Sequence, residues 1–458
     1  MSGGDVPSAP PLASGADGPD ALRPLLATVL DALAAGRGER GGPLPPGGPR
    51  AVTARVADAL GDVLPDTGDP DALRTLVQAL AAGAADPADP LCAAHLHCPP
   101  LAVATAADLA ASALNPSLDS WDQAPAASAM EAAVARTLAR TAGLADALVT
   151  TGGTESNQLA LLLAREAHGT DLRLVCGAAA HHSLPRAAWL LGLPDPVVLP
   201  APAGTLDPAA LDEALTALPG PVLVAATAGT TDAGLIDPLP EIAGLCTAHG
   251  ARLHIDAAYG GGLLFSDRHR DRLAGLEAAH TVTLDLHKLG WQPAAAGLIA
   301  VARPGELAAL HQRADYLNAD DDTEAGLPDL LGRSLRTTRR PDILKIAVTL
   351  KTLGRSGLGT LVDQVCARAR EFAALIREHP GFELYDRPAI STVLFRPAGT
   401  DDAHVAAVRR RLLHEGLAVL GRARLGGRLW LKVTVLNPHT RPDDLAHLLK
   451  LVEGSTPA

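Results

Sequence analysis

RLHIDAAYGGGLLFSDRHRDRLAGLEAAHTVTLDLHKLGWQPAAAGLIAVA, residues 252–302, holds three short runs that are apolar on both faces: Arg252 to Asp256, Thr281 to Leu284 and Leu298 to Ala302. Runs of this length without polar alternation read as strands covered on both sides. Two of them end on residues able to do chemistry. Asp256 closes the first, and Asp285-Leu286-His287-Lys288 follows the second. In open sheets with helices on both faces, ligands gather at the carboxyl ends of the strands. The segment therefore predicts a site as well as a fold.

The same pattern continues upstream. Ala147 to Thr151, Leu172 to Cys176 and Val222 to Thr227 are further strand candidates, separated by helical stretches or loops. This alternation predicts an α/β fold, a mostly parallel sheet with helices on both faces. Downstream, Ile346 to Glu378 reads as a long helix. Strands near Ser391 to Phe395 and Leu429 to Leu436 then enclose a helix over Asp402 to Glu415, a smaller C-terminal α+β domain. Residues 1–20 are rich in Gly, Pro, Ser and Ala and are expected to be disordered. Residues 21–34 read as an amphipathic helix, 36–50 as a breaker-rich stretch, and 51–62 and 71–84 as two more helices. The expected division is an N-terminal helical arm at 21–115, a large domain at 116–345 and a small domain at 346–458. The arm has too little core to stand alone, so it is expected to pack on the body or on a second subunit.

A chain of 458 residues fits two or three structural units. Apolar residues make up 47% but aromatics only 2%, so Leu, Val, Ile and Ala must fill the core. The net charge of -12, without basic runs, argues against a nucleic-acid partner. Five scattered cysteines (Cys92, Cys98, Cys176, Cys246, Cys366) fit neither a disulfide framework nor a zinc site, and suit a reducing cytoplasm. Met1 to Pro19 has no basic start or apolar stretch, and no run of about 20 apolar residues is present. Neither a signal peptide nor a membrane span is expected.

Four segments carry candidate chemistry. Thr151-Gly152-Gly153-Thr154-Glu155-Ser156-Asn157 joins a strand to a helix. Its glycines and the helix N-terminus suit a phosphate, though an ordinary turn with a threonine cap has the same sequence. Asp256 is placed to hold a protonated pyridine nitrogen, or to cap a turn. Lys288 can form an imine with an aldehyde if it is partly desolvated; a lone lysine is more often a surface residue. In Ala180-His181-His182-Ser183, an imidazole can stack on a flat ring or serve structure alone.

Taken in order, a glycine-rich loop, a histidine, an aspartate at one strand end and a lysine at the next, the chain resembles the group II pyridoxal-phosphate (PLP) decarboxylases. It is most similar to the bacterial L-2,4-diaminobutyrate and lysine decarboxylases. AHLHCPP (94–100), LNPSLDSWDQ (114–123), TTGGTESNQLALLLAR (150–165), ATAGTTDAGLIDP (226–238), HIDAAYGG (254–261), DLHKLGWQP (285–293), ADYLNADDD (314–322) and SLRTTRRPDILK (334–345) carry the resemblance. It implies the fold type I (aspartate aminotransferase-like) architecture, PLP as cofactor, an amino acid substrate and a homodimer with the site at the subunit interface. It also implies roles: Lys288 bearing the cofactor, Asp256 on the ring nitrogen, and His181 stacked on the ring with Ala258 on the opposite face. Gly153, Thr154 and His287 are implied at the phosphate and Thr231 near the cofactor.

The pattern departs from two relatives of that group. Aromatic amino acid decarboxylases place a proton-donating tyrosine in a loop that is here Gly326-Leu327-Pro328-Asp329-Leu330-Leu331-Gly332. The proton donor is thus open between His181 and Tyr316. Glutamate decarboxylases place a carboxylate-binding arginine where this chain has Lys432. That lysine either binds substrate as a point charge or is a surface strand residue. His95, His97 and Trp121 are candidate substrate contacts. Asp320-Asp321-Asp322 with Glu324 either attracts a distal ammonium or is a solvated loop. A diamino acid is the favoured substrate. The alternatives are an aromatic or acidic amino acid, another carbon–carbon lyase reaction, or a non-catalytic relative, the last opposed by intact Lys288, Asp256 and His181.

Overall fold

The computed structural model describes residues 10–455; the expected disorder of residues 1–9 lies outside them. Seven strands form the main sheet: β1 (Asp146–Thr150), β2 (Arg173–Gly177), β3 (Val197–Leu199), β4 (Val222–Thr227), β5 (Arg252–Ala257), β6 (Thr281–Asp285) and β7 (Gly297–Val301). Their order is β1-β7-β6-β5-β4-β2-β3. β3, β2, β4, β5 and β6 pair in parallel, whereas β7 runs antiparallel to both β6 and β1. The reversal follows from chain length. Only residues 286–296 join β6 to β7, too few for the helical crossover that a parallel return needs. Helices 125–141, 153–168 and 239–249 are among those that cover the sheet, and β4, β5, β6 and β7 are buried along their whole length.

A second sheet, order β10-β11-β9-β8, is antiparallel throughout: β8 (Phe382–Leu384), β9 (Thr392–Pro397), β10 (Gly421–Leu425) and β11 (Arg428–Thr434). The helix Ile343–Glu378 leads into it and kinks at Gly354, whose φ of 64° no helix interior contains.

The N-terminal helix runs Gly18–Arg40, so residues 18–20 and 36–40 are helical where disorder and a breaker stretch were expected. Tertiary contacts override the glycines. Arg40 is buried and donates to the Ala81 carbonyl at 2.8 Å and to Asp86. At Gly36 an added Cβ would stand 2.5 Å from the Gln78 carbonyl, so this glycine permits the close approach of helix 72–83. The three arm helices nonetheless bury little: helix Gly48–Leu60 has no buried residue, and Leu25, Leu30, Leu60, Leu76 and Leu80 are exposed.

Candidate active site

Asp256 is the penultimate residue of β5, and both of its carboxylate oxygens are held. The Ala258 N–H donates to Oδ1 at 3.1 Å, and the Asn157 side-chain amide donates to Oδ2 at 2.8 Å. β6 ends with Asp285, after which a single helical turn, Leu286–Leu289, lifts His287 and Lys288 over the sheet edge. The Lys288 Nζ lies 3.0 Å from Asp285 Oδ2, and the His287 Nε2 lies 3.5 Å from the same oxygen. The His287 Nδ1 accepts the Ala296 N–H at 3.2 Å, and burial lowers the pKa of the ring. Asp285 is almost fully buried, and its Oδ1 has no hydrogen-bond partner among the described residues.

The glycine loop approaches from β1. Gly152 sits at the N-terminus of the helix Gly153–His168 with a φ of 149°, and no side chain caps that end. The threonine cap considered from sequence is therefore absent. Instead Glu155 reaches back to accept from the Thr151 N–H and Oγ1. The first-turn N–H groups face the sheet edge with the positive end of the helix dipole. Close packing makes this possible. A Cβ at Gly152 would lie 2.9 Å from His287 Cε1, and one at Gly153 would lie 3.1 Å from Ala258 Cβ. On β7, a Cβ at Gly297 would lie 2.5 Å from the Gly152 Cα. Gly297→Ala is accordingly expected to displace the loop, cost about 1–3 kcal/mol of stability and weaken retention of any ligand held there, as read by denaturant titration and dialysis.

The loop after β4 closes a third side. Gly229 and Thr230 donate backbone N–H to the Leu235 carbonyl, and Asp237 ties the loop down by accepting from the Thr227 N–H at 2.7 Å. Its Thr231 carbonyl accepts from the Lys432 Nζ at 3.0 Å. On the fourth side His181 precedes the helix Ser183–Leu190, and Ser183 contacts its Nδ1 through both Oγ (2.8 Å) and backbone N–H (3.3 Å). Burial lowers the His181 pKa and the nearby Asp256 charge opposes that shift.

Gly153, Thr154, His181, Thr231, Asp256, Ala258, His287 and Lys288 all line one cavity of about 290 Å³ at the carboxyl ends of β4, β5 and β6. The other sequence candidates are placed differently. His95 and His97 are exposed, and it is Leu96 between them that reaches the cavity. Lys432 is neither a cavity residue nor a surface one; it is buried, burial lowers its pKa, and its amine is spent on the Thr231 carbonyl. Tyr316 is 81% exposed and Trp121 39%, and both border other concavities. Asp320, Asp321, Asp322 and Glu324 form an exposed helical turn.

Sequence reasoning gave no role to Asn157, Ser183 or His254, which form a buried polar network behind the cavity. The Asn157 amide donates to Ser183 Oγ at 2.9 Å as well as to Asp256. Its Oδ1 lies 3.0 Å from His254 Nε2 and 2.9 Å from Thr283 Oγ1. The available signal was the Ser156-Asn157 pair near the start of a helix that becomes apolar from Leu159, since a buried asparagine requires partners.

These residues fit PLP. The glycine loop, packed too closely on His287 and Ala258 to take a Cβ at Gly152 or Gly153 without a shift, and the helix N-terminus suit a phosphate. Asp256 suits a cationic ring nitrogen, Lys288 an aldehyde, and His181 and Ala258 the two faces of a planar ring. The Pyridoxal-dependent decarboxylase conserved domain matches residues 63–398. The chain is 41% identical over 382 residues to an L-2,4-diaminobutyrate decarboxylase of Rhizobium meliloti (strain 1021), covering 79% of this chain and 77% of that one. It is 32% identical over 399 residues to an L-2,4-diaminobutyrate decarboxylase of Acinetobacter baumannii, covering 78% of each. Among solved structures, the glutamate decarboxylase domain of diaminobutyrate-pyruvate transaminase and L-2,4-diaminobutyrate decarboxylase from Vibrio parahaemolyticus superposes with a TM-score of 0.84. That match has 32% identity over 97% of both chains. A lysine, an aspartate and a glycine cradle thus converge in a fold shared with these enzymes, and the chain belongs to the pyridoxal-dependent decarboxylases, with pyridoxal 5'-phosphate as its cofactor.

Proposed function

We propose that the enzyme removes CO2 from a small L-diamino acid, 2,4-diaminobutyrate first and ornithine or lysine next, leaving the corresponding amine. The observation that carries the reaction is the shared cavity of Lys288, Asp256 and His181. Two things support the substrate class: the likeness to the two diaminobutyrate decarboxylases, and the charge of the lining. Glu155, Asp256 and Asp285 line the cavity, and no arginine does. Such a site favours a distal ammonium over the distal carboxylate of an acidic amino acid.

When bound, PLP supplies an electron sink for the pair left at Cα as CO2 departs. The chain's own residues do the rest. Lys288, the one lysine that lines the cavity, would hold the cofactor through its aldehyde. Asp256 balances positive charge at the ring nitrogen. His181 and Ala258, which line the same cavity, would hold the ring of the cofactor. Gly153, Thr154 and His287 anchor the phosphate. Thr231, braced by Lys432 through its carbonyl, borders the substrate side. His181 delivers the proton to Cα; Tyr316 lies away from this chain's cavity.

The exposed leucines of the arm support a homodimer in which a second copy covers helices 18–40, 48–60 and 72–83. The division into arm, large domain and small domain near residues 115 and 345 belongs to the same reading. So does a cytoplasmic location; among the described residues no helix is long and apolar enough to cross a membrane. CO2 release measured across a panel of amino acids tests the substrate. The expected order is diamino acids well above glutamate, aspartate and tryptophan. Faster release from an acidic or aromatic amino acid would replace this substrate class. Sedimentation of the holoenzyme is expected to give a dimer, and a monomer would remove the second copy.

A further inference from the structure

We infer that Asn157 is a positioning residue that fixes the proton pattern of two site groups at once, the carboxylate of Asp256 and the imidazole of His181. The inference deepens the proposed roles of those two residues and rests on them.

Hydrogen-bond capacity settles the direction of each contact. An ionised carboxylate only accepts, so the Asn157 amide must turn its NH2 toward Asp256 Oδ2, 2.8 Å away. The second N–H of that group goes to Ser183 Oγ at 2.9 Å. The amide oxygen is then left facing His254 Nε2 at 3.0 Å and Thr283 Oγ1 at 2.9 Å, and both must donate. His254 therefore carries a proton on Nε2. Its Nδ1 lies 2.9 Å from Thr281 Oγ1 and accepts the hydroxyl proton. The ring is neutral, and burial, which pushes its pKa down to about 4, agrees. Asn157 is fully buried and all four of its hydrogen-bonding positions are used, so with Asp256 ionised its amide has a single satisfied orientation.

The second branch reaches His181. Because Ser183 Oγ accepts from Asn157, its own hydroxyl proton is free for His181 Nδ1 at 2.8 Å. The Ser183 backbone N–H, a donor by constitution, points at the same nitrogen at 3.3 Å. Nδ1 is thus an acceptor, and a neutral His181 holds its only proton on Nε2. Protons are ordered from Thr281 through His254 to Asn157, and from there outward to Asp256 and, by way of Ser183, to His181. The order keeps Asp256 an acceptor and leaves the His181 proton on the nitrogen that Ser183 does not occupy. The charged and titratable groups around the two ends are Asp285, His287, Lys288, Glu155 and Tyr259 in the cavity, and His182 beside His181.

Long-range 1H–15N correlation spectra of the holoenzyme, with 15N-labelled histidine and each ring assigned by its own His→Gln variant, test this directly. At neutral pH, His254 and His181 are both expected to show a protonated Nε2 and a bare Nδ1. A proton on Nδ1 of either ring overturns the inference, whatever the substrate of the enzyme proves to be. Asn157→Ala removes the acceptor for His254. It is expected to mix or reverse the His254 tautomer and to lower kcat on the order of 10- to 100-fold with KM within about twofold. A folded Asn157→Ala protein with unchanged tautomers and unchanged kcat also overturns it. If that variant does not fold, the wild-type spectra decide.

Discussion

Lys288→Ala is expected to lower turnover by upward of about 10³-fold, since general acid–base work alone is worth roughly 10² to 10⁴. The chain has five lysines: Lys288, Lys345, Lys351, Lys432 and Lys450. Only Lys288 lines the cavity. Lys345 pairs with Asp108 and Asp342, Lys432 is committed to a backbone carbonyl, and Lys351 and Lys450 are exposed. None of the other four lysines is placed to take over. The substitution has a structural side effect that needs its own control. Asp285 is buried, and it loses its ammonium partner when Lys288 becomes alanine. Lys288→Arg keeps a positive charge opposite Asp285 but offers no amine that can attack an aldehyde. The expected result is two inactive proteins, with Lys288→Arg melting closer to wild type than Lys288→Ala. An active Lys288→Arg would show that the positive charge is what matters at this position.

Asp256→Asn is expected to cost on the order of 10² to 10³ in kcat, the usual effect of removing one preorganised electrostatic partner. The shapes match, but the new amide can accept only one of the two donors that hold Asp256, the Ala258 N–H or the Asn157 NH2, and its own NH2 faces the other, so denaturant titration is needed to confirm that the variant stays folded. What is lost is the negative charge that balances a cationic ring nitrogen. The phosphate cradle and Lys288 are untouched, so the cofactor content of the purified variant should stay near that of wild type. Steady-state CO2 release together with cofactor content separates this outcome from simple loss of PLP. Activity within a few-fold of wild type would mean that Asp256 serves only to seal the loop at Ala258.

The residues of this site were readable in the sequence to the degree that their strands were. β4, β5 and β6 are buried on both faces, so they stand out as uninterrupted apolar runs, and the residues at their ends are marked automatically. β3 has three residues at the edge of its sheet, flanked by prolines, and leaves no run to detect. β10 alternates buried and exposed residues over a glycine- and arginine-rich stretch, and does not read as a strand until β11 pairs with it. Lys432 shows the same limit from the other side. One lysine among Leu, Trp and Val reads as a surface strand residue or a substrate contact, yet the strand is covered on both faces and the amine turns inward to Thr231. At His95 and His97, alternation in an irregular segment does not say which side faces the cavity; within this chain that side belongs to Leu96. The Asn157 network joins residues up to 126 positions apart. It comes into being only when helix 153–168 lies across β5 and β6, a contact no local pattern encodes.

Reduction of the holoenzyme with borohydride, followed by peptide mapping, tests the central assignment most directly. The account predicts a single pyridoxyl label, on the peptide that contains Lys288. A label on the Lys432 or Lys345 peptide, or none on any lysine, would contradict it.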